Sequence, residues 1–286
     1  MTRLLGISRE PECSPGRHRS NDTRLLDAIA ASLRARGASV TLVAPDLLDS
    51  RPDAALIFSM CQGAAALRVL RDWELAGADI VNSPRAALNT YRDRLPAILD
   101  AAGVRYPRTI LVSTAGDGDR RPPLEIESAD GIWLKRGDMH ASISSDVQRV
   151  RSVGEYRAGL AGLFARGIGR AAVQAHRDGT EIKFYGVAGR RFFHWFVTSG
   201  SPDAAIDPEA LRDLAERAAA AAGLEVYGGD IILEPSGQLT LIDLNDWPSF
   251  APCRAAAAAA IADYLTRRAH GVWNPGLVPS ANESAV

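Results

Sequence analysis

Three oxygen-bearing side chains in the last quarter of the sequence, Asp230, Asp243 and Asn245, are spaced so that they could share one site. Two apolar runs, residues 229–234 and 239–245, flank Pro235-Ser236-Gly237-Gln238, which is the composition of a β-hairpin. If that four-residue loop sets the register, Glu234 faces Leu239 and Asp230 falls directly opposite Asp243. Directly opposed side chains have Cβ atoms roughly 4.5–5.5 Å apart, a distance at which like charges destabilise a sheet, so the pair calls for a counter-ion. Asn245, two residues beyond Asp243, projects from the same face. Two carboxylates and an amide oxygen suit a hard cation, and magnesium takes one or two carboxylates while completing its shell with phosphate oxygens and water. The three residues therefore predict a magnesium site shared with a nucleotide.

Lysines mark two further strands. A buried-looking strand, Ile132-Trp133-Leu134-Lys135, ends in a lysine, which at a strand end can reach a phosphate as a compact point charge. Residues 181–187 and 191–197 alternate around Ala188-Gly189-Arg190 and predict a second hairpin. Period-two geometry puts Glu181, Lys183 and Tyr185 on one face and Ile182 and Phe184 on the other, so one face is polar and the other is core.

The elements that must carry these residues divide the chain into an α/β part and an α+β part. Short apolar runs at residues 4–8, 40–44, 54–58 and 79–81 alternate with helical patterns at 23–36, 64–76 and 84–102, which predicts a parallel sheet flanked by helices. Ser20-Asn21-Asp22 supplies capping residues before the first helix, Gly37 follows it, and Pro84 suits the first turn of the third. Two stretches follow strand ends, residues 9–22 and 59–63, and open α/β sheets present their ligands there. Downstream, strands at 108–113, 132–135, 146–151 and 171–176, with a helix at 154–165, predict a compact α+β unit. Residues 114–123 read as a surface loop and residues 271–286 as a loosely docked tail.

The segment Gly229-Asp230-Ile231-Ile232-Leu233 through Leu241-Ile242-Asp243-Leu244-Asn245-Asp246-Trp247-Pro248-Ser249-Phe250 resembles the last motif of ATP-grasp enzymes such as ribosomal-protein glutamate ligases, glutathione synthetases and D-alanine ligases. The resemblance implies Asp230, Asp243 and Asn245 as magnesium ligands, aspartate standing where glutamate is common. It also implies that Pro248-Ser249-Phe250 is the loop leading to a substrate-contacting helix, which assigns Ser249 and Arg254 to substrate. Upstream, Asn82-Ser83-Pro84, Asp93-Arg94 and the run 102–107 look like the family's entry helix, with Arg94 at the place of a usual lysine. Trp133-Leu134-Lys135 resembles the lid strand whose lysine contacts the α- and β-phosphates. Val173-Gln174-Ala175-His176 resembles the adenine-binding linker, with Asp178 placed for the ribose. The strand 181–187 resembles the one whose basic residue, here Lys183, approaches the γ-phosphate or the acyl phosphate.

The resemblance thus implies an ATP-grasp fold, of α/β and α+β class, preceded by a small Rossmann-like domain. The expected divisions are residues 1–83 for the first domain, 84–270 for the ATP-grasp domain with a lid at about 106–175, and 271–286 for the tail. The lid departs from the family pattern: residues 137–145 contain a single glycine, Gly137, and His140, Ser142, Ser144 and Ser145 are the groups available to replace backbone donors. The implied activity is an ATP- and magnesium-dependent ligase, with manganese as the alternative ion. It would activate a small-molecule or peptide carboxylate as an acyl phosphate for attack by an amine, with Lys183, Arg94 and His140 catalytic. A kinase on the same fold and a nucleotide-binding module without turnover are the alternatives. A kinase for a highly phosphorylated substrate should carry a dense basic cluster, and Arg17, His18 and Arg19 with Arg254 make only a modest one.

Composition narrows the partners. The 33 basic residues nearly balance the 34 acidic ones, which argues against a nucleic-acid or anionic-membrane partner and for small molecules. No apolar run approaches the roughly 20 residues of a spanning helix, and residues 1–7 lack the pattern of a signal peptide, so the expected location is the cytoplasm. Cys13, Cys61 and Cys253 have no paired spacing, which points to neither zinc nor a disulfide framework.

Overall fold

The computed structural model describes residues 1–14, 17–116, 121–126, 130–141 and 143–271, with the side chains of residues 17–19 left out. The expected tail from residue 272 onward, the centre of the 114–123 loop, Ser142 and the side chains of Arg17, His18 and Arg19 fall outside that description.

Three four-stranded sheets organise the chain. The first is parallel, in the order β2-β1-β3-β4, from β1 (Arg3–Ile7), β2 (Ser39–Val43), β3 (Leu56–Ser59) and β4 (Ile80–Val81). Successive side chains of a strand leave on opposite faces. Leu4 accordingly joins a core with α1 (Arg17–Ala35) and the last helix, α7 (Arg254–Ala269), while Leu5 and Ile7 pack against α2 (Ala64–Leu75). The helix α1 starts at Arg17, earlier than the capping residues Ser20-Asn21-Asp22 predict. Asp22 lies inside it because its carboxylate is taken by Arg9 and Ser14 rather than by the backbone.

The predicted helix over 84–102 is two helices, α3 (Pro84–Asn89) and α4 (Leu95–Ala101). Pro96 sits in the first turn of α4, where its missing N–H costs nothing; in one continuous helix it would remove a bond and clash with the carbonyl four residues back. The break turns Tyr91 and Arg92 inward and leaves Arg94 exposed at the N-cap of α4.

The second sheet is antiparallel, β5-β8-β6-β7, from β5 (Thr109–Ser113), β6 (Ile132–Arg136), β7 (Val147–Val150) and β8 (Arg170–Ala175), and it packs on α5 (Val153–Ala165) through Leu134, Val173, Tyr156 and Leu160. The third, also antiparallel, is β10-β9-β11-β12, from β9 (Thr180–Val187), β10 (Phe192–Ser199), β11 (Val226–Leu233) and β12 (Leu239–Asp246). Its inner face, with Ile182, Phe184, Ile231, Leu241 and Leu244, is covered by α6 (Pro208–Ala222). Among the described residues no helix is long and apolar enough to cross a membrane.

The hairpin register differs from expectation at the loop and agrees at the site. Leu233, not Glu234, pairs with Leu239, because Glu234 opens a turn closed by Gly237 at φ 81°, and its own N–H bonds the Gln238 carbonyl. A β-bulge between Ile231 and Asp230 then absorbs Ile242, and Asp230 still faces Asp243. The strands approach closely here: a Cβ on Gly229 would lie 2.3 Å from the Asp243 carbonyl oxygen.

Candidate active site

A cavity of about 440 Å3 lies between the second and third sheets. From the second sheet come Trp133, Lys135, Gln174 and Ala175, with His176 and Asp178 just beyond β8; from the third come Glu181, Asp230, Ile242 and Asp243. A neighbouring cavity of about 230 Å3 holds Lys183, Asn245, Ser249 and His140. The fold thus gathers nearly all the residues singled out in the sequence around two adjoining spaces. Arg94, Ser144, Ser145 and Arg254 line neither space: Arg94 and the two serines are exposed, and Arg254 donates to Asn21 Oδ1 at 2.9 Å. The guanidinium that faces the site belongs to Arg92, which donates to the Met139 carbonyl at 3.0 Å and to Asp243 Oδ2 at 3.5 Å.

Asp230 sits between Lys183 on one neighbouring strand and Asp243 on the other. Lys183 Nζ donates to Asp230 Oδ1 at 2.7 Å. Part of the counter-charge that the opposed carboxylates require is therefore supplied by Lys183 and Arg92. Burial pushes the Asp230 carboxyl upward, with Lys183 holding it down in part. Burial also works to raise Asp243, but Arg92, Lys135, His140 and Lys183 together outweigh it and hold that carboxyl at about 2. The ammonium of Lys183 is disfavoured by burial and favoured more strongly by Asp230, so its pKa is raised.

Lys135 is 7% exposed and reaches only the carbonyl of the bulged residue, Ile242, at 3.4 Å. Burial lowers its pKa to about 8, the attraction of Asp243 notwithstanding. His140 shares a hydrogen bond of 2.8 Å between Nε2 and Thr90 Oγ1, and burial drives its pKa down to about 3, so the ring is neutral at physiological pH. The segment after β6 that carries it is fastened by Asp146: the fully buried carboxylate accepts from Arg166 at 2.6 Å, Arg136 at 3.3 Å and the Ile143 N–H at 3.0 Å.

On the far side of the larger cavity, Trp133 Nε1 donates to His176 Nδ1 at 3.0 Å, which leaves Nε2–H to meet Asp178 Oδ1 at 2.8 Å. Ala175 N–H is bonded to the Arg108 carbonyl, so the backbone donor at that position is committed to the sheet. Gln174 is buried and its amide approaches Thr109 Oγ1 at 3.4 Å.

The donor set fits a magnesium ion. Asp243 Oδ1 is buried and has no hydrogen-bond partner among the described residues, although its sister oxygen meets Arg92. A buried carboxylate oxygen with no donor is costly, and a hard cation satisfies it. Asp230 opposite and Asn245 nearby add the remaining oxygen donors.

Four residues at the site, Arg92, Gln62, Arg9 and Asp246, have no role assigned to them individually in the sequence reading. Besides Arg92, Gln62 Nε2 donates to Asp246 Oδ1 at 2.6 Å, and Arg9 bonds the Trp247 carbonyl. Burial, opposed mainly by Arg9, raises the Asp246 carboxyl to about 6. Gln62 and Arg9 lie in the two stretches after strand ends, 59–63 and 9–22, which was the available signal; Asp246 had only its adjacency to Asn245.

A cavity clasped between two antiparallel sheets, with lysines on both walls and opposed acids on one, preceded by a parallel α/β layer, defines the ATP-grasp fold. No family model matches the sequence, and no curated protein matches it. By structure the protein is similar to D-alanine–D-alanine ligase from Bacillus anthracis complexed with ATP, with TM-score 0.70 at 13% identity over 95% of this chain and 98% of that one. A RimK domain ATP-grasp protein from Sphaerobacter thermophilus aligns with TM-score 0.66 at 18% identity over 93% and 99% of the two chains. The ATP-grasp ligase PsnB complexed with minimal precursor aligns with TM-score 0.62 at 18% identity over 92% and 99%. At these identities the likeness shows the fold, and the chain has the ATP-grasp fold.

Proposed function

We propose that this chain is an ATP- and magnesium-dependent carboxylate–amine ligase working in the cytoplasm. The observation that carries the reading is the Asp230–Asp243 pair, with a buried, unpartnered Asp243 oxygen at the mouth of a cavity walled by Lys135 and Arg92. The neighbours lend support, since one is described as complexed with ATP and another as a ligase complexed with a precursor. Manganese would suit the same oxygen donors.

In this reading the nucleoside lies against Gln174, Ala175 and His176 with the ribose near Asp178, and Lys135 and Arg92 face the phosphates. Asp230, Asp243 and Asn245 would hold magnesium, which would supply charge neutralisation to the phosphates. A substrate carboxylate oxygen attacks the γ-phosphorus, the bond to the bridging oxygen breaks, and ADP leaves with that electron pair. Lys183, beside the metal ligands, stabilises the charge that develops on the transferring group. The amine, as its free base, then attacks the acyl carbon through nitrogen, and phosphate departs with the electron pair of the C–O bond and takes up the proton that the nitrogen sheds. Neutral His140, with Thr90, closes the chamber against water without adding charge, which keeps the mixed anhydride from hydrolysis. Arg92 takes the role expected of Arg94, and Ser249 lies on the substrate side of the metal ligands. Arg254, bonded to Asn21, serves that side by fixing the start of α7.

The test traps the intermediate. In a screen of amino acids, dicarboxylates and short peptides, an accepted carboxylate should give a hydroxamate with ADP and phosphate when hydroxylamine replaces the amine. Asp243→Asn should lose most of this activity while its circular dichroism is unchanged. A stable phosphorylated product without hydroxamate would transfer the protein to the kinases.

A further inference from the structure

A third cavity, of about 740 Å3, lies not between the two antiparallel sheets but at the carboxyl ends of the parallel one, beside Ser8, Ala44 and Met60, which follow β1, β2 and β3. Among the described side chains its charged lining is Arg9 against four acids, Glu10, Glu12, Asp22 and Asp46. Arg9 is spent on Asp22, 3.1 Å from its Nε, and on the Trp247 carbonyl. Glu10 is held by the N–H groups of Gln62 and Gly63, both at 2.9 Å, ahead of α2. Glu12 and Asp46 are exposed and make no ion pair among the described residues. The space between the antiparallel sheets differs in balance, since there Arg92, Lys135, Arg149 and Arg177 offset Asp178, Glu181, Asp230 and Asp243.

A second observation lies next door. Arg9, Ser14 and Asp22 line both this cavity and the 230 Å3 cavity that holds Lys183 and Asn245, so the two spaces adjoin. Asp246 lines the smaller one and is 1% exposed; Gln62 satisfies its Oδ1, whereas its Oδ2 is buried with no hydrogen-bond partner. An acceptor left in that state is satisfied when a ligand brings a donor to it.

We propose that the amine substrate is a dication, of the class of α,ω-diamines and basic amino acids. Its reacting amine donates to Asp246 Oδ2 beside Lys183 and Asn245, and its second cationic group lies in the large cavity with Glu12 and Asp46. This names the nucleophile of the ligase reading and rests on it for the reaction, though the charge preference of the cavity is measurable without turnover.

Calorimetry on the full chain at neutral pH and low salt, with cadaverine, pentylamine and glutarate as probes, tests it. Cadaverine should bind at least about tenfold more tightly than pentylamine, two surface charge contacts being worth about that much at low salt, and glutarate should not bind. The Glu12→Gln/Asp46→Asn double variant, at two exposed positions, should lose that preference while pentylamine and Mg·AMPPNP affinities stay as they were. Asp246→Asn should weaken both amines. Equal affinity for the diamine and the monoamine, no cadaverine binding at millimolar concentration, or an undiminished preference in the double variant would overturn the proposal. Cadaverine binding of the expected pattern with no binding of Mg·AMPPNP would instead sink the ligase reading and leave the cavity's preference standing.

Discussion

Lys135 is a cation kept in a dry wall, with one long contact to the Ile242 carbonyl and its pKa drawn down to about 8. If it meets the phosphates, the free protein must carry the proton to bind well. Its charged form prevails below that pKa and is lost above it, so nucleotide affinity should be level at neutral pH and fall as pH rises past 8, towards about tenfold per unit. Dissociation constants for Mg·AMPPNP across that range should show the fall in the native protein and not in Lys135→Arg, whose guanidinium stays charged; a flat native profile would remove Lys135 from the phosphate site. The lysines were legible from sequence because each ends or alternates along a strand. Arg92 was not, because a helix drawn unbroken from 84 to 102 hides the turn that points Arg92, rather than Arg94, at Asp243. Pro96 carried the signal for that break.

Among the elements, β12 shows how a local irregularity makes the site. Its buried apolar residues are Leu241 and Leu244, a step of three where a regular strand steps by two, and the extra residue is the bulged Ile242. That spacing is in the sequence, but the step is readable as a bulge only once the partner strand is known. The helix α6 is the opposite case: Asp207 caps it, Pro208 opens it and Gly223 ends it at φ 78°, yet the reading above assigns no element to residues 198–228. Asn82 is one of the side chains that join the parallel sheet to the third sheet. Asn82, after β4, donates to the Val226 carbonyl at 2.7 Å and accepts from the N–H groups of Glu225 and Val226 at 2.8 and 3.0 Å. Asn82→Ala orphans buried backbone groups, each costing about 1–3 kcal/mol, so a loss of about 3 kcal/mol is expected. Urea denaturation should show a lower midpoint with the slope unchanged. A loss below about 0.5 kcal/mol would mean that water replaces the amide there.

For the whole molecule, the nucleotide is the predicted bridge between two sheets that otherwise meet across a cavity. A ligand bound only by the folded state stabilises it by about 2.7 kcal/mol at a hundredfold excess over Kd. Saturating Mg·AMPPNP should therefore raise the melting temperature by roughly 5 °C or more. EDTA should abolish the rise, and Asp243→Asn should reduce it. An unchanged melting temperature at saturation would count against nucleotide binding at this cavity.

The helix α7 closes the core of the parallel sheet. Leu25, Ile29 and Leu33 of α1 are buried in a cluster with Ile261 and Leu265, and Arg268 pairs with both Asp79 and Glu225. The first-made layer is thus completed by one of the last-made helices of the described chain. At a synthesis rate of about 5–20 residues per second, residue 269 follows residue 83 by roughly 10–40 s. For that interval the stripe on α1 has Leu4, Val40, Leu56 and Phe58 of its own sheet on one side and water where Ile261 and Leu265 will lie, so the newborn layer waits with an unfinished apolar face until α7 arrives.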